Sequence, residues 1–344
     1  MLKRRKSGTQ KIVDEVVDAS KMLKVEKKYI RFDKVVSTGS TLLDLAIAGK
    51  KVRGGGLPGG ILVEIYGPSG SGKTSLLAEI CTSVQRKGGL VRLRDPESRF
   101  DKEYALIYGV NIGEDFFDYA RPDTVKEMFS DLWGWEVPED KINVFGGDSV
   151  AALSTELEME DTDKMGMKQA KEFSQNLRKS ARKIGNSNLL TVFTNQLRQG
   201  AMSEVTPGGK ALEYYASLRI RVAQKDLIEK KIRLASGKEI KKIIGIESLC
   251  YVKKSTIDEP YRTAPLSIIF NYGVDSVRDE LQWLKNMTGD SKYSCFDKSY
   301  VSMNDAITYI EENKLQRKLR TRTIDMWEEI DEKLQTPRQP KIRF

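Results

Sequence analysis

The stretch Gly67-Pro-Ser-Gly-Ser-Gly-Lys-Thr74 fills the pattern G-x-x-x-x-G-K-[ST] completely. Each residue type in it has a chemical task. Glycine lets successive backbone N–H groups turn inward onto phosphate oxygens. Lys73 brings a point charge to the β- and γ-phosphates of a nucleoside triphosphate, and the Thr74 hydroxyl is a ligand for Mg²⁺. A helix starting here adds the partial positive charge of its N-terminus. The binding loop is expected to comprise Gly67, Pro68, Ser69, Gly70, Ser71, Gly72, Lys73, Thr74 and Ser75. A Gly-rich turn without function is the competing interpretation. The complete motif, set between an apolar strand and an amphipathic helix, argues against it.

The same chemistry needs carboxylates. Asp148 follows the apolar run Ile142 to Phe145 and is placed to hold the magnesium shell; the bland alternative is a solvated turn aspartate. Gly146 and Gly147 stand just before it, where a strand normally carries bulky residues, so close backbone packing or a kink is expected. Hydrolysis also needs a group that orients water. A carboxylate at the C-terminal end of a neighbouring strand would face the phosphate loop. Leu90 to Leu93 runs into Arg94-Asp95-Pro-Glu-Ser-Arg99, which leaves Asp95 and Glu97 both open as that group. Gln196, beyond the strand Leu189 to Thr194, offers an amide that can sense a γ-phosphate.

These residues must be held by a scaffold, and the chain supplies one. Arg53 to Gly60 is turn-rich, and Ile61 to Tyr66 reads as a buried strand. Leu76, Leu77, Ile80, Cys81 and Val84 have helical spacing, and Gly88-Gly89 ends that helix. Val125 to Trp133 reads as a helix, and a long Lys/Arg-rich helix is predicted from about Met167 to Ile184. Strands alternating with helices predict a mostly parallel sheet covered on both faces. From Ile220 to Ile269 the pattern turns strand-like, interrupted by a basic hairpin-like piece over Lys225 to Lys242. Val277 to Met287 and Met303 to Glu312 return to helix. Ile12, Val16, Ala19 and Leu23 mark a short amphipathic helix ahead of the core.

Composition closes off several function classes. No histidine is present, which removes histidine proton transfer and His-rich metal sites. Cys81, Cys250 and Cys295 lie far apart, and their odd count fits a reducing compartment. No apolar run is long enough to span a membrane, and the first residues lack the apolar stretch of a signal peptide, so a cytoplasmic location is expected. The net charge is +9. Residues 1–37 hold 11 basic and 5 acidic side chains, and residues 313–344 hold 9 and 5, so the ends carry +6 and +4 and the remainder −1. Basic ends suit a polyanion such as DNA, or simply solubility. At the C-terminal end Lys314, Arg317, Lys318, Arg320 and Arg322 cluster, as a gathering patch for duplex DNA would.

Six segments, in this order, resemble the RecA recombinases of bacteria and their phages. They are Ser37-Thr-Gly-Ser-Thr-Leu-Leu-Asp44, Gly56-Leu-Pro-Gly-Gly60, Val63-Glu-Ile-Tyr-Gly-Pro68, Asp148-Ser-Val-Ala-Ala-Leu153, Thr194-Asn-Gln-Leu-Arg198 and Gly208-Gly-Lys-Ala-Leu-Glu-Tyr-Tyr-Ala-Ser217. The resemblance covers about residues 37–272. It implies an α/β fold: a RecA-like P-loop ATPase core with a mostly parallel twisted sheet flanked by helices, an N-terminal helix and a small C-terminal α-rich domain. The boundaries expected are 1–36 for the oligomerisation helix and linker, 37–275 for the core, 276–334 for the small domain and 335–344 for a basic flexible tail.

The resemblance also implies roles. Glu97 matches a water-activating glutamate, and Asp101 and Tyr104 match an adenine-contacting pair. Gln196 matches the glutamine that couples the γ-phosphate to a second DNA-binding loop, expected from Leu197, with Arg198, to about Pro207, beside Gly208 and Gly209. A first DNA loop is expected near Glu158 to Gly166, including Met165 and Gly166, with Arg178 as a DNA-contacting arginine on the helix beyond. Lys254 matches a lysine that reaches a neighbouring subunit's ATP. ATP and Mg²⁺ are the implied cofactors. The implied partners are single-stranded DNA, double-stranded DNA, further copies in a helical filament, and loader or single-strand-binding proteins. The activity implied is DNA-dependent ATP hydrolysis driving homologous pairing and strand exchange.

The chain also departs from the family pattern. The second DNA loop is several residues shorter than in cellular relatives. Glu213 stands where a lysine is usual, and Thr256 replaces a second lysine expected to act across the interface. The tail is basic where cellular relatives have an acidic one. These features suggest a phage-like or divergent member. A RecA-fold motor such as a ring helicase, or a DNA-bound switch whose ATPase times assembly, are the competing functions, because such cores host many activities.

Overall fold

The computed structural model describes residues 32–155, 165–199, 204–207 and 210–336. The expectations for the helix over residues 10–24, for most of the first DNA loop, for Gly208 and Gly209 and for the end of the tail lie outside the described residues.

Nine strands form the main sheet: β1 Ile61–Gly67, β2 Val91–Arg94, β3 Phe117–Ala120, β4 Asn143–Gly147, β5 Leu189–Gln196, β6 Leu218–Arg233, β7 Glu239–Ser255, β8 Thr263–Ile269 and β9 Gly273–Val274. Their spatial order is β9-β8-β7-β6-β1-β5-β4-β2-β3. The six strands from β6 to β3 in that order pair in parallel, and β7, β8 and β9 extend the sheet antiparallel. The mostly parallel sheet expected from the alternating pattern is present, and with it the α/β core that the resemblance implies.

Among the described residues nine α-helices accompany the sheet: α1 Thr41–Ala48, α2 Lys73–Arg86, α3 Lys102–Tyr108, α4 Val125–Gly134, α5 Met165–Gly185, α6 Ala211–Tyr215, α7 Ser276–Thr288, α8 Met303–Glu312 and α9 Gln316–Leu334. β1 is buried along its length because both of its faces are covered, and its one charged residue, Glu64, accepts from Arg219 Nε at 2.6 Å. Ile61, Val63 and Ile65 join one cluster with α1, α2 and α3, through side chains such as Leu43, Leu77 and Ala105. Leu62 points the other way, into a cluster with Phe129 of α4, Phe173 of α5 and Leu212 of α6. The same alternation splits Val144 from Phe145 in β4 and Val192 from Phe193 in β5.

The two glycines before Asp148 are explained by this packing. A Cβ on Gly146 would lie 2.9 Å from Leu93 Cδ1, and one on Gly147 would lie 2.7 Å from Phe193 Cδ1. Close packing is the reason for them, and β4 keeps its pairing in register through both. The hairpin-like piece is likewise no interruption. It is the outer part of β6 and β7, strands of 16 and 17 residues paired along their length.

α7, α8 and α9 enclose a third cluster around Leu281, Leu284, Ala306, Ile310 and Leu319. α9 lies against α1 and the turn after it. The Trp327 ring fills the space over Gly49, where a Cβ would meet it at 2.5 Å, and Arg262 sits 5.0 Å over the same ring. Arg320 reaches Asp44 at 3.8 Å, Arg322 donates to Ser294, and Lys318 lies over Phe296. Part of the basic cluster read from the sequence is thus engaged with its own chain.

Candidate active site

β1 carries the phosphate loop out at the C-terminal edge of the sheet. Gly67 has no room for a side chain, because a Cβ would sit 2.0 Å from the Val222 carbonyl oxygen. Gly70 and Gly72 have φ of 72° and 99°, a region that side chains disfavour. α2 then begins at Lys73, and its N-cap Gly72 offers no side-chain acceptor to the first N–H groups. Those donors and the helix dipole suit an anion.

Lys73 is buried, and its Nζ donates to the carbonyls of Gly67 at 3.0 Å and Pro68 at 2.7 Å. Burial lowers its pKa, opposed by the charges of Asp148 and Glu97. Asp148, at the end of β4, is buried and accepts from the hydroxyls of Thr194 and Thr74. Burial raises its pKa, the two hydroxyls lower it, and the charges of Asp95 and Glu97 raise it further.

The structure separates the two carboxylates that the sequence left open. Asp95 is buried and its Oδ2 accepts from Phe100 N at 2.8 Å and Tyr119 OH at 3.0 Å, so it braces the loop after β2. Glu97 lines the cleft. Its Oε1 accepts from Gln196 Nε2 at 3.0 Å and from the Ser149 hydroxyl, and its Oε2 pairs with Arg99 Nε at 2.9 Å.

The cleft has a volume of about 400 Å³. Of the residues predicted for the site, it brings together Ser69, Gly70, Gly72, Lys73, Thr74, Ser75, Glu97, Tyr104, Asp148 and Gln196. Gly67, Pro68 and Ser71 shape the loop from behind. Tyr104 approaches Ser75 Oγ at 3.0 Å through its hydroxyl, and its ring lies 4.9 Å from that of Tyr108. Asp101 is not on the cleft wall; it caps α3 by accepting from Tyr104 N at 2.7 Å. Lys254 is also away from this cleft and donates to the carbonyls of Glu213 and Tyr214 at 2.7 and 2.9 Å. Met165 and Gly166 open α5, Arg178 lies within it, and Arg198 stands in a two-residue strand paired with Glu204–Val205.

Sequence reasoning missed several wall residues. Tyr108 lies one helical turn beyond Tyr104 with its ring tilted 43° to it, and that spacing was visible. Arg99 and Ser149 each lie beside a predicted residue. Ile246, Ile268, Phe270 and Asn271 come from β7, β8 and the turn after it, and only the sheet order brings them here.

The donor set suits magnesium. Among the described residues no group of three or more His, Cys, Asp or Glu could hold a metal. Thr74 and Asp148 offer two hard oxygen donors, which fits an ion that keeps several waters and takes phosphate oxygens. When bound, Mg²⁺ neutralises phosphate charge.

The description "RecA N-terminal domain" belongs to the family model that matches residues 7–275. Curated relatives named Protein RecA match as well. That of Teredinibacter turnerae is 32% identical over 313 residues, covering 88% of this chain and 86% of its own length. That of Rickettsia massiliae is 36% identical over 246 residues, covering 70% and 67%. That of Methylococcus capsulatus is 37% identical over 248 residues, covering 70% and 66%. With the phosphate loop, the sheet order and these matches in hand, the chain belongs to the RecA family.

Proposed function

We propose that this chain is an ATP-dependent homologous recombinase that forms helical filaments on single-stranded DNA and catalyses homologous pairing and strand exchange. The loop over residues 67–75 binds the triphosphate, with Lys73 charging the β- and γ-phosphates and Thr74 and Asp148 holding Mg²⁺. Glu97 orients the attacking water and accepts its proton. Tyr104 stacks on the adenine, and Asp101 keeps it in place through the helix cap. Lys254 answers to the ATP of a neighbouring copy, which is consistent with its distance from its own cleft. Met165, Gly166, Arg178, Arg198, Gly208 and Gly209 belong to the DNA-contacting surface.

The observation that carries this reading is the hydrogen bond from Gln196 to Glu97. Gln196 ends β5, and the segment 197–207 follows directly. A group that senses the γ-phosphate thereby sits at the root of the second DNA loop, so ATP state and DNA grip are linked by one side chain. The division into an oligomerisation segment 1–36, a core 37–275, a small domain 276–334 and a tail 335–344 belongs to the same proposal. So do cytoplasmic work in a bacterial or phage-infected cell and assistance from loader or single-strand-binding proteins.

Electron microscopy with single-stranded DNA and a slowly hydrolysed ATP analogue tests the reading. Regular helical filaments support it. Closed rings would assign the chain to the motor class.

A further inference from the structure

The outer part of the β6–β7 hairpin has no packing partner among the described residues. Residues 229–243 are exposed along almost their whole length. Five rungs, from Glu229↔Ile243 to Arg233↔Glu239, project beyond the last residues that pair with β8. At ~3.3 Å per residue this ribbon extends roughly 17 Å from the body.

Its charge is unusual for a free ribbon. Lys230 faces Lys242, and Lys231 faces Lys241 on the adjacent rung. Like charges directly opposite each other destabilise a strand pair. Glu229, 3.9 Å from Lys241, is the one ion-pair partner of these four lysines among the described residues. Over residues 225–242 the sequence has 7 basic and 3 acidic side chains, 7 − 3 = +4. One rung beyond the lysines, Ile232 and Ile240 form a cross-strand pair exposed at 50% and 41%, with Leu234 at the tip.

We propose that this ribbon is a binding surface for duplex DNA, with Lys230, Lys231, Lys241 and Lys242 on the phosphates. The proposal rests on the recombinase reading given above. A two-stranded ribbon fits the major groove of B-form DNA, and aliphatic side chains can lie against thymine methyls there. A single strand is disfavoured as occupant, because it is held by stacking on aromatic rings and residues 224–250 contain none. The placement agrees. β6 runs parallel to β1 and passes Tyr66 at Arg221, so the ribbon leaves the sheet at the edge where the phosphate loop and the segment after β5 emerge. An acidic protein segment is the other class of partner that the lysines and isoleucines could hold.

The test compares full-length protein with a variant carrying Lys230→Thr, Lys231→Thr, Lys241→Thr and Lys242→Thr, and with one carrying Lys→Arg at the same four positions. Binding of a fluorescent duplex is titrated at several salt concentrations. Each lost phosphate contact removes about 0.9 from the slope of log K against log salt, so the Thr variant, with four contacts removed, should lose about 3.6. The Arg variant should keep the slope. ATP turnover on single-stranded DNA should be unchanged in both, since these side chains lie off the cleft. An unchanged slope in the Thr variant, with turnover intact, overturns the ribbon proposal and leaves a protein partner as its occupant. Unmodified protein whose turnover ignores single-stranded DNA contradicts the recombinase reading, while the slope comparison still decides the ribbon.

Discussion

Gln196 and Glu97 meet at 3.0 Å although they belong to the ends of β5 and β2, strands that are not neighbours in the sheet. β4 lies between them, and its Ser149 extension donates to the same Glu97 oxygen. The carboxylate is thus fixed by groups from two strand ends, and both can register what occupies the cleft.

Glu97→Gln should keep ATP and DNA binding and lose hydrolysis by roughly 10²-fold or more, the scale of general-base catalysis. The amide keeps the shape but takes no proton, so filaments should last longer. Asp95→Asn should act differently. Its Oδ2 braces Phe100 N and Tyr119 OH, so its main effect should be a lower Tm. Turnover and Tm measured side by side check this; a purely catalytic defect in Asp95→Asn would shift the water-orienting role to Asp95.

Lys73→Ala should abolish turnover without unfolding the core. Burial already disfavours the charged amine, so its removal relieves a cost while deleting a charge aimed at the transferred phosphoryl group. The expected loss is at least about 10²-fold with a nearly unchanged Tm. Wild-type turnover with single-stranded DNA would refute the loop assignment.

Deleting residues 1–30 should leave a folded core that no longer assembles cooperatively. The described core is already closed by α1, α2 and the sheet, and the apolar stripe at Ile12, Val16, Ala19 and Leu23 needs a surface. Light scattering with single-stranded DNA measures the effect. Unchanged cooperativity would mean the stripe serves its own subunit.

Stability should fall as pH rises from about 4 to 7. Asp279 accepts from the Ser267 N–H and hydroxyl, and burial pushes it up to about 7 from an ordinary 3.8. Burial pushes Asp44 up to about 6. A carboxyl raised on folding stabilises while protonated, and that contribution is lost as pH climbs through its folded pKa. Asp279→Asn should flatten the decline and gain on the order of 2 kcal/mol relative to the parent at pH 8. Parallel Tm profiles from pH 5 to 8 would contradict this.

The core of the site was legible because its residues are contiguous or end regular strands. The phosphate loop, Asp148, Glu97 and Gln196 each follow an apolar run, and strand ends in a parallel sheet converge. Position alone could not choose between Asp95 and Glu97. That choice depends on where two side chains two residues apart find partners, which local pattern does not encode. Phe270 and Asn271 were invisible for another reason. They reach the cleft only because β6 pairs with β1, which brings the β7–β8 side of the sheet beside the phosphate loop. Within the basic C-terminal cluster, Arg320 reaches Asp44 and Arg322 donates to Ser294, contacts that sequence spacing does not show.

The most direct test of the account is strand exchange itself. Circular single-stranded DNA is mixed with a homologous linear duplex, with a heterologous duplex as control, and joint molecules are resolved on a gel. The account predicts joint molecules with the homologous duplex alone, dependent on ATP and absent in Lys73→Ala. Unwinding of the duplex without homology-dependent joints would contradict it and place the chain among the motors of its fold.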